Sequence, residues 1–177
     1  MKFPRRNKLA SRKNIRLDVN YNYPNDNPII KPHGFWYSCG SAWYDWIVDE
    51  EMTEGNNWLK KYLYEIELKR GSLTDINHKD PDKILVIKNM KDLNKFNRKY
   101  GSYRNYYDDE LWSINWGKVS KDYGGIEICP YPKRIVGDKY SWLRTFDAAS
   151  GCIWNLRPII KSLELTHKKK GIKYVKV

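Results

Sequence analysis

Short stretches of alternating apolar and polar residues recur along this chain and predict β-strands. The clearest lie at residues 15–21 and 61–68, where apolar side chains fall on one face and polar or charged ones on the other. Apolar or aromatic-rich runs predict further strands at residues 35–38, 83–88, 126–129 and 152–156. The tail alternates again, which favours a terminal strand. The chain is therefore expected to be rich in strands.

Apolar residues spaced three and four positions apart predict three helices between these strands. The predicted helices span residues 41–51, 90–100 and 116–122. Each begins at a residue whose side chain can accept a hydrogen bond from the first helical turn: Ser41, Asn89 and Asn115. Residues 102–113 show no regular pattern and predict an irregular segment. This order of elements indicates a single α+β domain with a mixed, mostly antiparallel, split sheet and short helices.

The amino-terminal residues are strongly basic. Residues 1–20 hold seven lysines and arginines against a single acidic residue. We expect residues 1–14 to form a basic flexible arm and residues 15–177 to form the folded domain. The arm and the tail lysines at residues 168–170 are candidates for contacts with phosphate groups, although such runs also occur as solvated surface.

The composition supports a folded core and an anionic partner. Hydrophobic residues make up 41% of the chain and aromatic residues 15%, with eight Trp and fourteen Tyr, so disorder is not expected outside the ends. The net charge of +12 favours nucleic acid, a phosphorylated cofactor or an acidic surface as the partner. The alternative is a lysine-rich surface that is simply solvated.

The cysteines and histidines offer no recognisable metal site. Cys39, Cys129 and Cys152 are far apart and form no CxxC pair, which argues against both a disulfide framework and a zinc site. The three histidines share no ligand spacing, so we expect no metal. These features predict a reducing, intracellular and cytoplasmic location. No apolar run approaches the ~18 residues of a membrane span, so we expect no membrane contact.

Glu127 is the strongest candidate for a chemical role. Alternation along its strand places Ile126 and Ile128 on one face and Glu127 with Cys129 on the other. A carboxylate on a central strand must be paired, protonated or directed into a cleft, because burying an isolated charge is unfavourable. The alternative is an edge-strand glutamate that lies in water or pairs with a lysine or arginine.

A second stretch, residues 31–44, combines aromatic rings with hydroxyl groups. Its sequence predicts a short strand, a Gly/Ser turn and the first turn of a helix. We expect this stretch and the strand of Glu127 to form the two walls of one cleft. A hydrolase that uses Cys39 or Ser38 as the nucleophile is a further possibility, but it lacks a credible base in the sequence.

Two segments resemble the ADP-ribosyltransferase superfamily. Gly34-Phe35-Trp36-Tyr37-Ser38 followed by Ser41-Ala42-Trp43-Tyr44 is similar to the strand, turn and helix that surround nicotinamide in poly- and mono-ADP-ribosyltransferases. Residues 118–128, KVSKDYGGIEI, resemble a helix-to-strand element of phage and toxin members, which aligns Glu127 with the catalytic glutamate. The resemblance covers these two segments and no more of the chain.

The resemblance implies transfer of ADP-ribose from NAD to a macromolecular acceptor. Glu127 would grip the nicotinamide ribose and steer the acceptor as the glycosidic bond loosens toward an oxocarbenium ion. The residues expected around NAD are Gly34, Tyr37, Ser38, Ser41 and Tyr44, with Arg16 as the only strand candidate for the early arginine or histidine of the family. The basic arm and tail would recruit an acidic acceptor, including nucleic acid. The alternative is a non-enzymatic nucleic-acid-binding module that uses Lys, Arg and exposed aromatic rings.

Overall fold

The computed structural model describes residues 3–10, 14–26, 30–50, 59–106, 109–132, 137–171 and 173–177. The strands are β1 (Arg6–Ala10), β2 (Phe35–Cys39), β3 (Tyr62–Leu68), β4 (Leu73–Thr74), β5 (Asp80–Ile87), β6 (Gly101–Tyr106), β7 (Asp109–Ile114), β8 (Tyr123–Ile128), β9 (Ser150–Ile153), β10 (Ile160–Lys170) and β11 (Lys173–Lys176). The helices are α1 (Ala42–Asp49), α2 (Met90–Tyr100), α3 (Trp116–Asp122), a 3-10 helix (Asp138–Phe146) and α4 (Leu156–Ile159).

Nine of the described strands form one sheet in the order β11-β10-β3-β1-β2-β9-β8-β5-β4, and β6 pairs with β7 in a separate hairpin. Strand β5 is parallel to both of its neighbours, β4 and β8. The other neighbouring pairs of the large sheet are antiparallel. The prediction of an α+β fold with a mixed, mostly antiparallel sheet is therefore confirmed.

The large sheet has two different faces. One face, which we call the helix face, packs against α2, α3 and the 3-10 helix. Its contacts join Leu85, Ile87, Ile126 and Ile128 of the sheet to Leu93, Phe96, Trp116, Val119, Trp142 and Phe146 of the helices. The opposite face, which we call the cleft face, is covered over part of its area by α4 and by residues 15–19, which pack on Phe35, Tyr37, Ile84 and Ile153. The cleft face therefore has room for a site beside this cover.

Side chains cap α2 and α3 at the residues that the sequence predicts, whereas a different serine from the predicted one caps α1. The side chain of Asn89 accepts from the backbone N–H of Asp92, and α2 ends at Gly101. Asn115 caps α3 in the same way. At α1, Ser41 instead donates its hydroxyl to the carboxylate of Asp45. The hydroxyl of Ser38 accepts from the N–H of Trp43 and so provides a hydrogen-bond acceptor for one backbone N–H in the first turn of α1.

The prediction of a flexible arm over residues 1–14 is wrong for residues 6–10. These residues form β1, which lies between β2 and β3 inside the sheet. Its charges find partners on the cleft face: Arg6 pairs with Glu127, and the Lys8 ammonium lies 4.0 Å from the centre of the Phe35 ring. A basic sequence is compatible with an interior strand when such partners exist. Residues 1–2 and 11–13 of the predicted arm lie outside the described residues.

Two further predictions are wrong. Residues 15–21 form no strand, although their apolar side chains Leu17 and Val19 do pack on the cleft face. Alternation there reflects burial of an extended segment rather than pairing in the sheet. Of residues 102–113, predicted to be irregular, residues 102–106 and 109–113 lie in the paired strands β6 and β7, where the Tyr103 and Trp112 rings meet edge to face at 5.0 Å. In the part of the chain that the structure describes, every helix is too short or too polar to span a lipid bilayer.

Candidate functional site

Three side chains meet at the carboxylate of Glu127. The guanidinium of Arg6 donates from Nε to Oε2 at 2.6 Å and from Nη2 to Oε1 at 3.1 Å. The hydroxyl of Tyr37 donates to Oε2 at 2.7 Å. Oε2 is therefore saturated, while Oε1 has one longer bond and can accept another. The Arg6–Glu127–Tyr37 cluster joins residues that lie 121 and 90 positions from Glu127 in the chain.

The cluster is almost completely withdrawn from solvent. Glu127 is 3% exposed, Arg6 is 9% exposed and Tyr37 is fully buried. Burial alone would lower the pKa of Arg6, but the hydrogen bond and charge of Glu127 outweigh it, and the pKa is raised. Burial, and then the charge of Glu127, raises the pKa of Tyr37 well above its usual value. The guanidinium stays charged, and the phenol keeps its proton and remains a donor.

The side chain of Tyr37 reaches Glu127 across an intervening strand. Tyr37 lies on β2 and Glu127 on β8, and β9 runs between these strands. Gly151 of β9 pairs with both residues. A Cβ atom at position 151 would overlap the Tyr37 ring. The glycine is thus required for the close approach of an aromatic ring to the sheet.

An open cleft of about 440 Å³ lies over this cluster. It forms at the carboxyl ends of β2, β5 and β8, which run in the same direction because β9 is antiparallel to both β2 and β8. Its lining residues are Arg5, Arg6, Cys39, Gly40, Val86, Lys88, Glu127 and Cys129. Arg5 and Lys88 are exposed at its rim, so the cleft presents positive charge around one fixed carboxylate.

The cleft wall contains a disulfide between Cys39 and Cys129, whose Cα atoms are 6.5 Å apart. The prediction that the cysteines stay unpaired is therefore wrong for this pair, while Cys152 is free and buried. Strands β2 and β8 converge where β9 begins, at Ser150. This brings together Cys39 and Cys129, which are 90 positions apart in sequence. Because two of the three cysteines are bonded, the cysteines do not support the predicted cytoplasmic location, which stays a prediction.

The same sulfurs and the Glu127 carboxylate lie within 4.8 Å of one another. In this arrangement the sulfurs are bonded to each other, and the carboxylate already binds Arg6 and Tyr37. Bonded sulfurs are not thiolate ligands. The group is therefore better described as a disulfide beside an ion pair than as a metal centre.

The structure brings Tyr37 to Glu127 but places the other predicted residues elsewhere. Ser38 points to the helix face and caps α1, where Ser41 contacts Asp45. The ring of Tyr44 packs against Phe3 and Tyr174. Gly34 lies so close to Cys152 and Ile153 that a Cβ atom would not fit. Arg16 is exposed and lies on no strand.

The sequence does not place the basic residues at the site. It predicts Arg5 and Arg6 in a flexible arm, as candidates for phosphate contacts, and Lys88 at the end of a buried strand. The available signal was the need of a strand carboxylate for a partner, which favours Arg or Lys without naming one. Only the tertiary pairing of β1 with β2 identifies Arg6 as that partner.

Compared with known proteins, the chain matches no family model, no curated protein and no solved structure. Any assignment of function therefore relies on the geometry of the cleft and on the two resembling segments.

Proposed function

We propose that the chain binds NAD in the cleft above Glu127 and transfers ADP-ribose to a macromolecular acceptor. The observation that supports this proposal is the 2.7 Å hydrogen bond between Tyr37 and Glu127. Each of these residues comes from one of the two segments that resemble ADP-ribosyltransferases. The two segments meet at one carboxylate, which is what such an enzyme requires.

The charges and size of the cleft fit a dinucleotide. Its volume of about 440 Å³ falls within the range of about 300–1,000 Å³ that is usual for ligand pockets. Arg5 and Lys88 at the rim would bind the two phosphates, because both side chains are exposed and cationic. Arg6 replaces Arg16 as the early-strand arginine in this proposal. Its role is to hold Glu127 rather than the dinucleotide.

Glu127 would act by fixed charge and by one hydrogen bond. Its Oε1 atom can accept from a hydroxyl of the nicotinamide ribose, since only the longer Arg6 bond occupies it. The acceptor nucleophile would form a bond to C1′ of the ribose while the bond from C1′ to the nicotinamide nitrogen breaks. The electron pair of the broken bond leaves with nicotinamide, and the proton of the nucleophile passes to water. The carboxylate would favour positive charge at the ribose carbon, and Arg6 and Tyr37 would prevent it from reorienting.

Thermal unfolding in the presence of NAD tests the binding step. At a concentration of about one hundred times Kd, a single site should raise Tm by about 5–10 °C for a chain of this size. The shift should fall in Arg5→Ala and in Lys88→Ala, because each variant removes one phosphate contact. Lys121→Ala is the matched control, since Lys121 is an exposed lysine outside the cleft. No shift in the native chain, or an equal shift in all variants, would exclude this site for NAD.

A second candidate function is binding of nucleic acid by the β10–β11 hairpin. Lys170 pairs with Lys173, so these residues share one face of the hairpin with Lys168, two positions away. All three are exposed, and none forms an ion pair with another described residue. Such a row of unpaired cations at a sheet edge suits a phosphate backbone.

Salt titration distinguishes this second function. If the hairpin binds single-stranded nucleic acid, each Lys→Ala change at 168, 170 or 173 should lower the slope of log affinity against log salt by about 0.7. Lys121→Ala should leave the slope unchanged. Binding that does not depend on salt, or slopes that do not change in the hairpin variants, would rule this role out.

A further inference from the structure

A second hollow lies on the helix face, between α1 and the end of the 3-10 helix. Its walls are aromatic or apolar side chains, namely Trp36, Trp43, Trp46, Ile47 and Phe146, and its polar lining is Lys31, Lys60, Thr145 and Asp147. The three tryptophans are half-buried rather than enclosed. Half-buried indole rings around an open space leave flat apolar surface available to a ligand.

The size of the hollow limits what it can hold. Its volume is about 220 Å³, below the range of about 300–1,000 Å³ in which drug-sized ligands bind. It therefore has room for one planar ring system and none for a dinucleotide. Flat rings stack on tryptophan, so a nucleobase is a suitable occupant by shape.

Asp147 gives the hollow an acceptor held in an unusual backbone conformation. Its φ of 60° and ψ of −46° lie outside the regions that residues other than glycine usually adopt. The N–H of Ala148 donates to the carbonyl of Phe146 at 2.6 Å, which closes a tight turn centred on Asp147. Strained residues of this kind concentrate at functional sites. Here the turn places Asp147, whose side chain is exposed, at the wall of the hollow next to Phe146.

The charges at the rim complement a phosphate. The Lys31 ammonium lies 5.5 Å from the centre of the Trp36 ring, and Lys60 also lines the hollow. A ligand that stacks on Trp36 would therefore carry its anionic group next to Lys31. The carboxylate of Asp147 is suited to accept a hydrogen bond from an amino group on the ring, as acidic side chains do with amino groups of bases.

We propose that this hollow binds a nucleotide whose base carries an exocyclic amino group, with the base against Trp36 and Trp43, the amino group on Asp147 and the phosphate on Lys31. The nucleotide can be free or part of a single strand. The site is independent of the NAD proposal, because Trp36 and Tyr37 point to opposite faces of β2 and Glu127 belongs to the other face.

Titration of adenosine 5′-monophosphate, inosine 5′-monophosphate and ribose 5-phosphate, followed by saturation-transfer NMR and tryptophan fluorescence, tests this site. Adenosine monophosphate should bind most tightly, because inosine monophosphate lacks the amino group and ribose 5-phosphate lacks the base. Trp43→Ala should weaken binding by about tenfold or more, as expected for loss of one stacked ring. Asp147→Asn should remove the preference for adenosine over inosine monophosphate. Asparagine has nearly the same size and shape as aspartate, so this variant should keep the fold.

Two control variants and one further ligand complete the experiment. Tyr103→Ala removes an aromatic side chain that is 51% exposed on β6 outside the hollow, and it should not change binding. Lys88→Ala should also leave binding unchanged, because Lys88 lines the NAD cleft and not this hollow, and this result separates the two sites. Tighter binding of a short oligodeoxyadenylate would identify a single strand as the source, and equal binding a free nucleotide. If ribose 5-phosphate binds as well as adenosine monophosphate, or if Trp43→Ala and Asp147→Asn bind like the native chain, the proposal is wrong.

Discussion

The chemistry available to Glu127 depends on the side chains that hold it. The Glu127 carboxylate accepts from one cationic and one neutral donor, which hold it in place without contact with bulk water. Replacing a whole buried ion pair by apolar residues often leaves stability unchanged. Removing only one partner leaves the other charge buried without a counter-ion, which destabilises the fold. The Arg6–Glu127–Tyr37 cluster should therefore behave as a unit when it is mutated.

Removal of Arg6 should be the most damaging single change at the site. Arg6→Ala leaves the Glu127 carboxylate buried without its counter-ion, and we expect a loss of about 3–5 kcal/mol in the free energy of unfolding. Tyr37→Phe removes one hydrogen bond to a charged group and should cost about 1.5–3 kcal/mol. Urea unfolding measures both. Arg5→Ala, an exposed neighbour, should change stability by less than about 0.5 kcal/mol. Equal effects of Arg5→Ala and Arg6→Ala would show that Arg6 does not pair with Glu127.

Tyr37 should also give the stability of the protein a dependence on alkaline pH. Burial and the charge of Glu127 raise its pKa in the folded state above the value of about 10 that an unfolded tyrosine has. The stabilisation by Tyr37 is thus complete below about pH 10 and is lost as the pH rises toward the folded-state pKa. Other buried tyrosines contribute to the same loss, including Tyr100 and Tyr174.

The comparison with Tyr37→Phe isolates this effect. The difference in unfolding free energy between the native chain and Tyr37→Phe should be constant through neutral pH and should shrink above about pH 10. Urea unfolding at a series of pH values measures it. A difference that stays constant into strongly alkaline solution would mean that Tyr37 ionises as readily in the folded protein as in the unfolded chain.

At the level of elements, the site depends on how β2, β9 and β8 pack side by side. The Tyr37 ring crosses β9 at Gly151, so Gly151→Ala should push the ring away from Glu127 and destabilise the fold by about 1–3 kcal/mol. Urea unfolding measures this change. In a Tyr37→Leu background the same alanine should be less harmful, because the ring that it displaces is gone. A penalty that is equal in both backgrounds would place the clash elsewhere.

The elements that the sequence predicts well are those with local signals. Helices α2 and α3 begin at Asn89 and Asn115 as expected, because the caps and the apolar spacing lie within a few adjacent residues. The sequence does not predict strand β1, because its partners β2 and β3 lie far along the chain. The pairing of β6 with β7 is local, and it is not predicted because residues 102–113 show no regular alternation of apolar and polar residues. The alternating segment at 15–21 is the converse case, where burial imitates the pattern of a strand.

For the candidate site, the sequence identified two of the three side chains in the cluster. Glu127 was recognisable because a carboxylate interrupts an apolar strand, and Tyr37 because aromatic and hydroxyl residues cluster around it. Arg6, the rim cations and the pairing of Cys39 with Cys129 depend on which strands become neighbours. No local pattern carries that information.

At the scale of the whole molecule, the disulfide between Cys39 and Cys129 should be a major contribution to stability. It closes a loop across a sequence separation of 90 residues, and removal of such a link commonly costs about 2–4 kcal/mol. The double variant Cys39→Ser/Cys129→Ser, or reduction of the native chain, should lower the urea midpoint accordingly.

A thiol count on the unfolded chain is the control for this prediction. Without reductant, it should find one reactive thiol, that of Cys152. Three reactive thiols under the same conditions would show that the link does not form. Cys152→Ser should abolish the remaining signal and leave the disulfide intact.

The most direct test of the proposed chemistry is incubation of the chain with NAD labelled in its adenylate part, together with separated protein and nucleic-acid fractions of a cell lysate. We expect label to become covalently attached to one of these fractions. Transfer should fall by about a hundredfold or more in Glu127→Gln and should also fall in the rim variant Lys88→Ala, with circular dichroism confirming that both variants are folded. If no fraction is labelled, or if folded Glu127→Gln labels as well as the native chain, Glu127 does not support transfer of ADP-ribose.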